Sequence, residues 1–173
     1  ISGATSATYT LTQAEVGKAI FVVVSYTDDL GENESISSSP TNIVSNINDS
    51  PIGGVSIDGT ASQGQTLTAN TTNLVDLDGL GPLSYQWKAD GTNIIGATTS
   101  SYTLNQTEVG KTISVTVSYT DAQGQFESVV STVTSAVANT DDPHTGSLEV
   151  SGYLIDGQTL SISNTIEDLD GKN

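Results

Sequence analysis

Two copies of the tetrapeptide Asp-Leu-Asp-Gly, at 76–79 and 168–171, are the residues of this sequence best suited to chemistry. Each places two carboxylates at i and i+2, followed by a glycine that lets the chain turn. An acidic linker accompanies each copy. "NINDSP" (46–51) carries Asn46, Asn48 and Asp49, and "NTDDPH" (139–144) carries Asn139, Asp141 and Asp142. Calcium is held by six to eight hard oxygens from carboxylates, amides and backbone carbonyls, which these residues can supply. The same residues also suit backbone turns, because Asx side chains cap them. An EF-hand is excluded: with Asp76 as position 1, Leu80 falls at position 5 and Trp87 at position 12, where an oxygen and a Glu are needed. The glycine-rich nonapeptide of calcium-binding β-helices is absent.

Other chemistry has little to stand on. His144 is the only histidine and lies in a linker, so no Ser-His-Asp site is expected around it. Without cysteine there is no disulfide, thiol nucleophile or zinc-thiolate site. Lys18 and Lys111 each follow a glycine at a turn, away from any apolar core in which an isopeptide bond would form. The chain is therefore expected not to be an enzyme. With 20 acidic and 4 basic side chains its formal charge is −16, which repels phosphate backbones and anionic lipid. Nucleic acid and direct membrane insertion are thus poor partners. No apolar run approaches the ~20 residues that span a bilayer.

A repeat organises these motifs. Residues 1–48 align without gaps on 94–141, with 26 identities in 48 positions. "YTLTQAEVGKAIFVVVSYTD" (9–28) returns as "YTLNQTEVGKTISVTVSYTD" (102–121), and "GTASQGQTLTAN" (59–70) as "GYLIDGQTLSIS" (152–163). The period of about 93 residues divides the chain into the C-terminal half of one repeat (1–48), a complete repeat (49–142) and the N-terminal half of a third (143–173). No counterpart of 82–93, which holds the sole tryptophan, accompanies the two halves. The expectation is a piece of a longer array. A second possibility is that the halves of neighbouring chains complete one another.

Alternating apolar and polar residues between Gly, Asp and Asn turns predict an all-β fold with no helix. Val55 and Ile57 mark strand A; Leu67 and Ala69 mark B; Leu83, Tyr85 and Trp87 lie on one face of C. Ala89-Asp90-Gly91 turns a hairpin. Tyr102 and Leu104 give strand E, while Ile113, Val115, Val117 and Tyr119 give the inner face of F, and Val133 and Val137 sit on G. Trp87 and the paired tyrosines Tyr9/Tyr102 and Tyr26/Tyr119 read as core. About seven strands with one buried tryptophan on C predict an immunoglobulin-like Greek-key β-sandwich without the inter-sheet cysteines.

In such a sandwich the B–C and F–G loops lie at the end where the chain enters. That brings Asp76, Asp78 and Asp121 to the incoming linker with Asn46, Asn48 and Asp49. Glu15, in the preceding repeat's E–F corner, faces the junction from the other side. At the next junction Glu108, Asn139, Asp141, Asp142, Asp168 and Asp170 repeat most of the set. These residues are the candidate calcium ligands.

Taken together, "DLDGLGPLSYQWKADGTNIIGAT" (76–98), "YTLNQTEVGKTISVTVSYTD" (102–121) and "NINDSP" (46–51) resemble the bacterial immunoglobulin-like, cadherin-like tandem repeats of giant secreted RTX-type adhesins. The resemblance covers the whole chain. It implies a secreted rod on a bacterial cell surface that projects other domains, with neighbouring repeats as its partners. The second linker departs from the NxNDxP form, which leaves its metal chemistry less supported. The expected function is a structural spacer of an adhesin or matrix fibre with calcium-stiffened junctions. A glycan- or protein-binding module, a repeat that polymerises by head-to-tail strand complementation, and an accessory domain of a polysaccharide enzyme are the alternatives.

Overall fold

The computed structural model describes residues 1–171. Among them the chain forms eleven strands and two single-turn 3-10 helices, so the fold is all-β, built of several antiparallel sheets. The chain divides into two compact units. The first comprises 1–53, 73–83 and 118–128; the second comprises 54–72, 84–117 and the residues from 129 onward.

In the second unit, β3 (Ser56–Asp58), β4 (Thr66–Asn70) and β7 (Ser101–Thr103) form a three-stranded sheet in the order β3-β4-β7. A four-stranded sheet has the order β6-β5-β8-β9, from β5 (Ser84–Ala89), β6 (Thr92–Asn93), β8 (Ile113–Thr120) and β9 (Phe126–Val130). Residues 118–120 of β8 and 126–128 of β9 belong to the first unit. Their inner faces follow the alternation of the sequence: Leu67, Trp87, Leu104, Ile113, Val115 and Val117 are fully buried. Burial of Trp87 is compatible with its polar edge because its indole N–H donates to the Thr99 carbonyl at 2.9 Å. The β5–β6 turn places Asp90 (φ 46°) and Gly91 (φ 78°) in the left-handed region, as a two-residue hairpin loop requires.

Strand G differs from the expectation. The regular strand is β9, whereas Val133 is 64% exposed and Val137 is buried through an isolated parallel bridge to Val109. The cause is local. Beyond Val130, the hydroxyls of Ser131 and Thr134 accept from the N–H groups of Val115 and Ile113, where ladder carbonyls would otherwise stand. The pairing continues, but as an irregular edge.

Two further hairpins complete the structure. In the second unit β10 (Leu148–Ser151) pairs with β11 (Ser161–Asn164). Its register, Val150 opposite Ile162, is the register of Ile57 opposite Ala69 displaced by 93 residues. In the first unit β1 (Val23–Thr27) pairs with β2 (Asn33–Ser37). The tyrosines read as core divide here. Tyr119 is buried, whereas Tyr9 and Tyr26 are 44% and 55% exposed because no strand covers their faces.

Candidate metal-binding junctions

The loop after β4 carries Asp76 and Asp78, and the turn after β8 carries Asp121; all three carboxylates are buried. Burying a charge is costly unless donors or a cation compensate it. Here the donors are neutral: backbone N–H groups, a phenol and an amide. Asp76 accepts the N–H of Asp78 at 2.8 Å on Oδ1 and the hydroxyl of Tyr119 on Oδ2. Burial, and then the neighbouring Asp76 carboxylate, hold the Tyr119 phenol well above its usual range. Asp78 accepts from Gln13 Nε2 on Oδ1 and from the backbone N–H of Asp49 on Oδ2, both at 2.7 Å.

Backbone contacts fix the approach of the linker. Ile52 and Val75 exchange N–H···O bonds of 2.8 and 3.0 Å, and the N–H of Ala122 donates to the Asp78 carbonyl at 3.2 Å. Gly81 passes so near the Thr120 carbonyl that a Cβ there would collide with it. Asn48 Nδ2 donates to Glu127 Oε1 at 2.8 Å. These contacts bring Asp49, Asp76 and Asp78 into one hydrogen-bonded set and tie the Asp121 turn to it, while Asn48 bonds Glu127 instead.

Asp121 is half used. Its Oδ1 accepts from the N–H groups of Gln123 and Gln125 at 2.9 and 2.8 Å, the same Asx turn that Asp28 makes with Leu30 and Glu32. Its buried Oδ2 has no hydrogen-bond partner, and neither has the buried Oδ1 of Asn46. Acceptors of this kind are rare in native proteins and call for a partner.

The second junction reproduces the linker contact. Asp170 Oδ2 accepts the N–H of Asp142 at 2.7 Å, and Oδ1 accepts Asn139 Nδ2 at the same distance. Asp168 Oδ1 accepts the N–H of Asp170 at 2.9 Å. The Asp142 N–H, then Asn139, hold the Asp170 carboxyl below the usual range. Asp142 Oδ2 accepts from Gln63 Nε2 at 2.6 Å. Gln106 Nε2 donates to the Leu169 carbonyl at 3.1 Å, while its own buried Oε1 is unpartnered. Asp141 is exposed.

Glu15 and Glu108 have a local task. Each closes a capping box on its own 3-10 turn, Glu15 with Thr12 and Glu108 with Asn105. Glu15 Oε2 accepts the Thr12 N–H at 2.9 Å and its hydroxyl at 2.8 Å, bonds that lower its pKa. Sequence reasoning missed Gln13, Gln63, Gln106 and Glu127. A glutamine repeated at 13 and 106 was the available signal, but an amide carries no metal-ligand spacing of its own.

Among the described residues, no three or more Asp, Glu, His or Cys side chains stand grouped so as to hold a metal ion. No helix among them is long and apolar enough to cross a membrane. No family model, curated protein or solved structure matches the chain.

Proposed function

We propose that this chain belongs to an extracellular structural spacer of tandem immunoglobulin-like repeats of about 93 residues, carried by a bacterial surface adhesin or matrix fibre. The observation that carries this reading is a joint built twice. In both places the N–H of a linker aspartate, Asp49 or Asp142, donates at 2.7 Å to the second carboxylate of an Asp-Leu-Asp-Gly loop. A binding module needs one distinctive surface, whereas a spacer needs the same joint at each period. Repetition of the joint favours the spacer.

Calcium belongs to this proposal at the first junction. The donor set there is wholly oxygen, and two buried acceptors, Asn46 Oδ1 and Asp121 Oδ2, lack partners. Those two residues are its first ligands; backbone carbonyls and water complete the shell. Asp76 and Asp78 have donors on all four oxygens, so their task is to fasten linker and loop. A bound calcium ion supplies positive charge to a junction whose carboxylates are otherwise met only by dipoles. Glu15 and Glu108 remain with their turns.

Isothermal calorimetry tests the assignment. Calcium should bind the chain, and Asn46→Ala with Asp121→Ala should abolish the tighter event. Asp76→Ala with Asp78→Ala should weaken it severely by releasing the linker. An unchanged isotherm in both double variants overturns the calcium assignment. Small-angle scattering then tests stiffness: like charges held close repel unless neutralised, so the maximum dimension should be longer with calcium than with chelator. Identical profiles would leave the spacer without an ionic switch.

A further inference from the structure

Two buried amide oxygens, one at each joint, have no hydrogen-bond partner: Asn46 Oδ1 and Gln106 Oε1. They are not equivalent residues. Asn46 lies in a linker, and its counterpart in the next linker is Asn139. Gln106 opens the 3-10 turn Gln106–Glu108, and its counterpart is Gln13, which opens Gln13–Glu15. Each joint therefore brings a corner glutamine and a linker asparagine to an Asp-Leu-Asp-Gly loop, and a different member of the pair is left with a bare oxygen.

The second carboxylate of the loop decides which. At the first joint Gln13 Nε2 donates to Asp78 Oδ1 at 2.7 Å, and the Asn46 oxygen is bare. At the second, Asn139 Nδ2 donates to Asp170 Oδ1 at 2.7 Å. Gln106 there turns its Nε2 to the Leu169 carbonyl at 3.1 Å, and its own oxygen is bare. The other carboxylate oxygen is the same in both joints, accepting the linker N–H of Asp49 or Asp142. Linker and loop are thus fastened alike, while the donor to Oδ1 differs. A buried acceptor without a donor is costly, so neither arrangement is closed by the protein alone. At the first joint the buried Asp121 Oδ2 is bare as well.

We propose that Gln13 and Asn46 are alternative donors to Asp78 Oδ1, and that calcium, by taking Asn46 Oδ1 as a ligand, leaves the carboxylate to Gln13. Gln13 is then a positioning residue. It touches no ion, but it clamps the 3-10 corner onto the loop. The ion and the clamp favour each other by the same factor, as linkage requires. The second joint has the other arrangement, in which the linker asparagine holds the carboxylate and the corner glutamine is released to a backbone carbonyl. The coupling rests on the calcium reading above and gives it a mechanical link from a bound ion to a stiffer joint.

A double-mutant cycle on the full chain tests the coupling. Gln13→Ala frees Asp78 Oδ1 for Asn46, so calorimetry should show calcium affinity lowered about tenfold. Asn46→Asp keeps an oxygen ligand but cannot donate to the carboxylate. In that background Gln13→Ala should leave the affinity unchanged. A glutamine that only held the loop in shape would matter equally in both backgrounds. Nitrogen-15 spectra give a second readout. Calcium should shift the Gln13 side-chain amide of the wild type, and in chelator Asn46→Ala, having lost the competing donor, should show that amide already at the shifted position. Calcium binding that Gln13→Ala does not weaken, or an equal loss in both backgrounds, would overturn the coupling and leave the calcium site standing. A wild-type chain that binds no calcium would overturn both.

Discussion

Strand β8 and residues 20–27 are nearly the same sequence in two environments. Val115, Val117 and Tyr119 are buried to 3% exposure or less; Val22, Val24 and Tyr26, their counterparts, stay more than half exposed. Both segments pair antiparallel with the strand that follows, β8 with β9 and β1 with β2. Alternation in the sequence therefore fixes which face of a strand is apolar, while burial of that face depends on segments far away in the chain. For β8 the neighbouring strand β5 carries Trp87. The difference separates what is local in this fold from what is tertiary, and substitutions at paired positions measure it.

The largest effect belongs to the residue with no twin. Trp87→Ala should cost about 3–5 kcal/mol, because it removes a fully buried aromatic and leaves a cavity beside Tyr102. Urea denaturation followed by circular dichroism checks it. Val115→Ala should then cost about 2 kcal/mol through loss of buried methyl groups, whereas Val22→Ala should be nearly neutral. Equal costs at the two positions would mean that the face of residues 20–27 is covered in solution.

Local patterns were legible in the sequence for the same reason. Alternation marks the strands, Ala89-Asp90-Gly91 marks the turn, and every fully buried side chain lies at a position that the alternation points inward. What the sequence hid was partnership. Asp76, Asp78 and Asp121 were recognisable as oxygen donors, yet nothing in their spacing told that a tyrosine 43 residues on and a glutamine 65 residues before would occupy their lone pairs. Glu15 and Glu108 looked like ligands because they are acidic and close to the junction. The capping box that claims them lies within four residues, and the Thr12/Asn105 to Glu15/Glu108 spacing was its unread signature.

Tyr119 sharpens the comparison at a polar atom. Tyr119→Phe keeps the ring and deletes the donor to Asp76 Oδ2, leaving a buried carboxylate oxygen unpaired. The expected cost is about 1–3 kcal/mol, against almost none for Tyr26→Phe, whose ring is 55% exposed. Raised alkalinity should act the same way. Because the folded state holds the phenol above its usual range, its contribution is complete below about pH 10 and is lost as pH rises through the higher folded value. The Phe variant should lack that alkaline loss. A wild-type curve as flat as the variant's would mean that the hydroxyl contributes nothing to stability.

The smallest effect is expected where the two regions are alike. Thr12 and Asn105 both cap a 3-10 turn, and each turn returns a glutamate to the cap's N–H, at 2.9 and 3.0 Å. Thr12→Ala and Asn105→Ala should each cost about 1 kcal/mol of local stability, read from hydrogen exchange of the turn amides. Tertiary cover differs between the two regions, so equal costs would establish that the corner is a local device. Acid separates the corner from the rest. The Thr12 bonds lower the pKa of Glu15, so its contribution is present above the unfolded carboxylate range, about pH 4.3, and disappears as pH falls through the lower folded value. Exchange at Ala14 and Val16 should accelerate over that interval, and Glu15→Gln should make it insensitive to pH there, while the β8 amides keep their protection. Loss of β8 protection over the same interval would tie the corner to the core, and the division between local and tertiary structure would fail at this point.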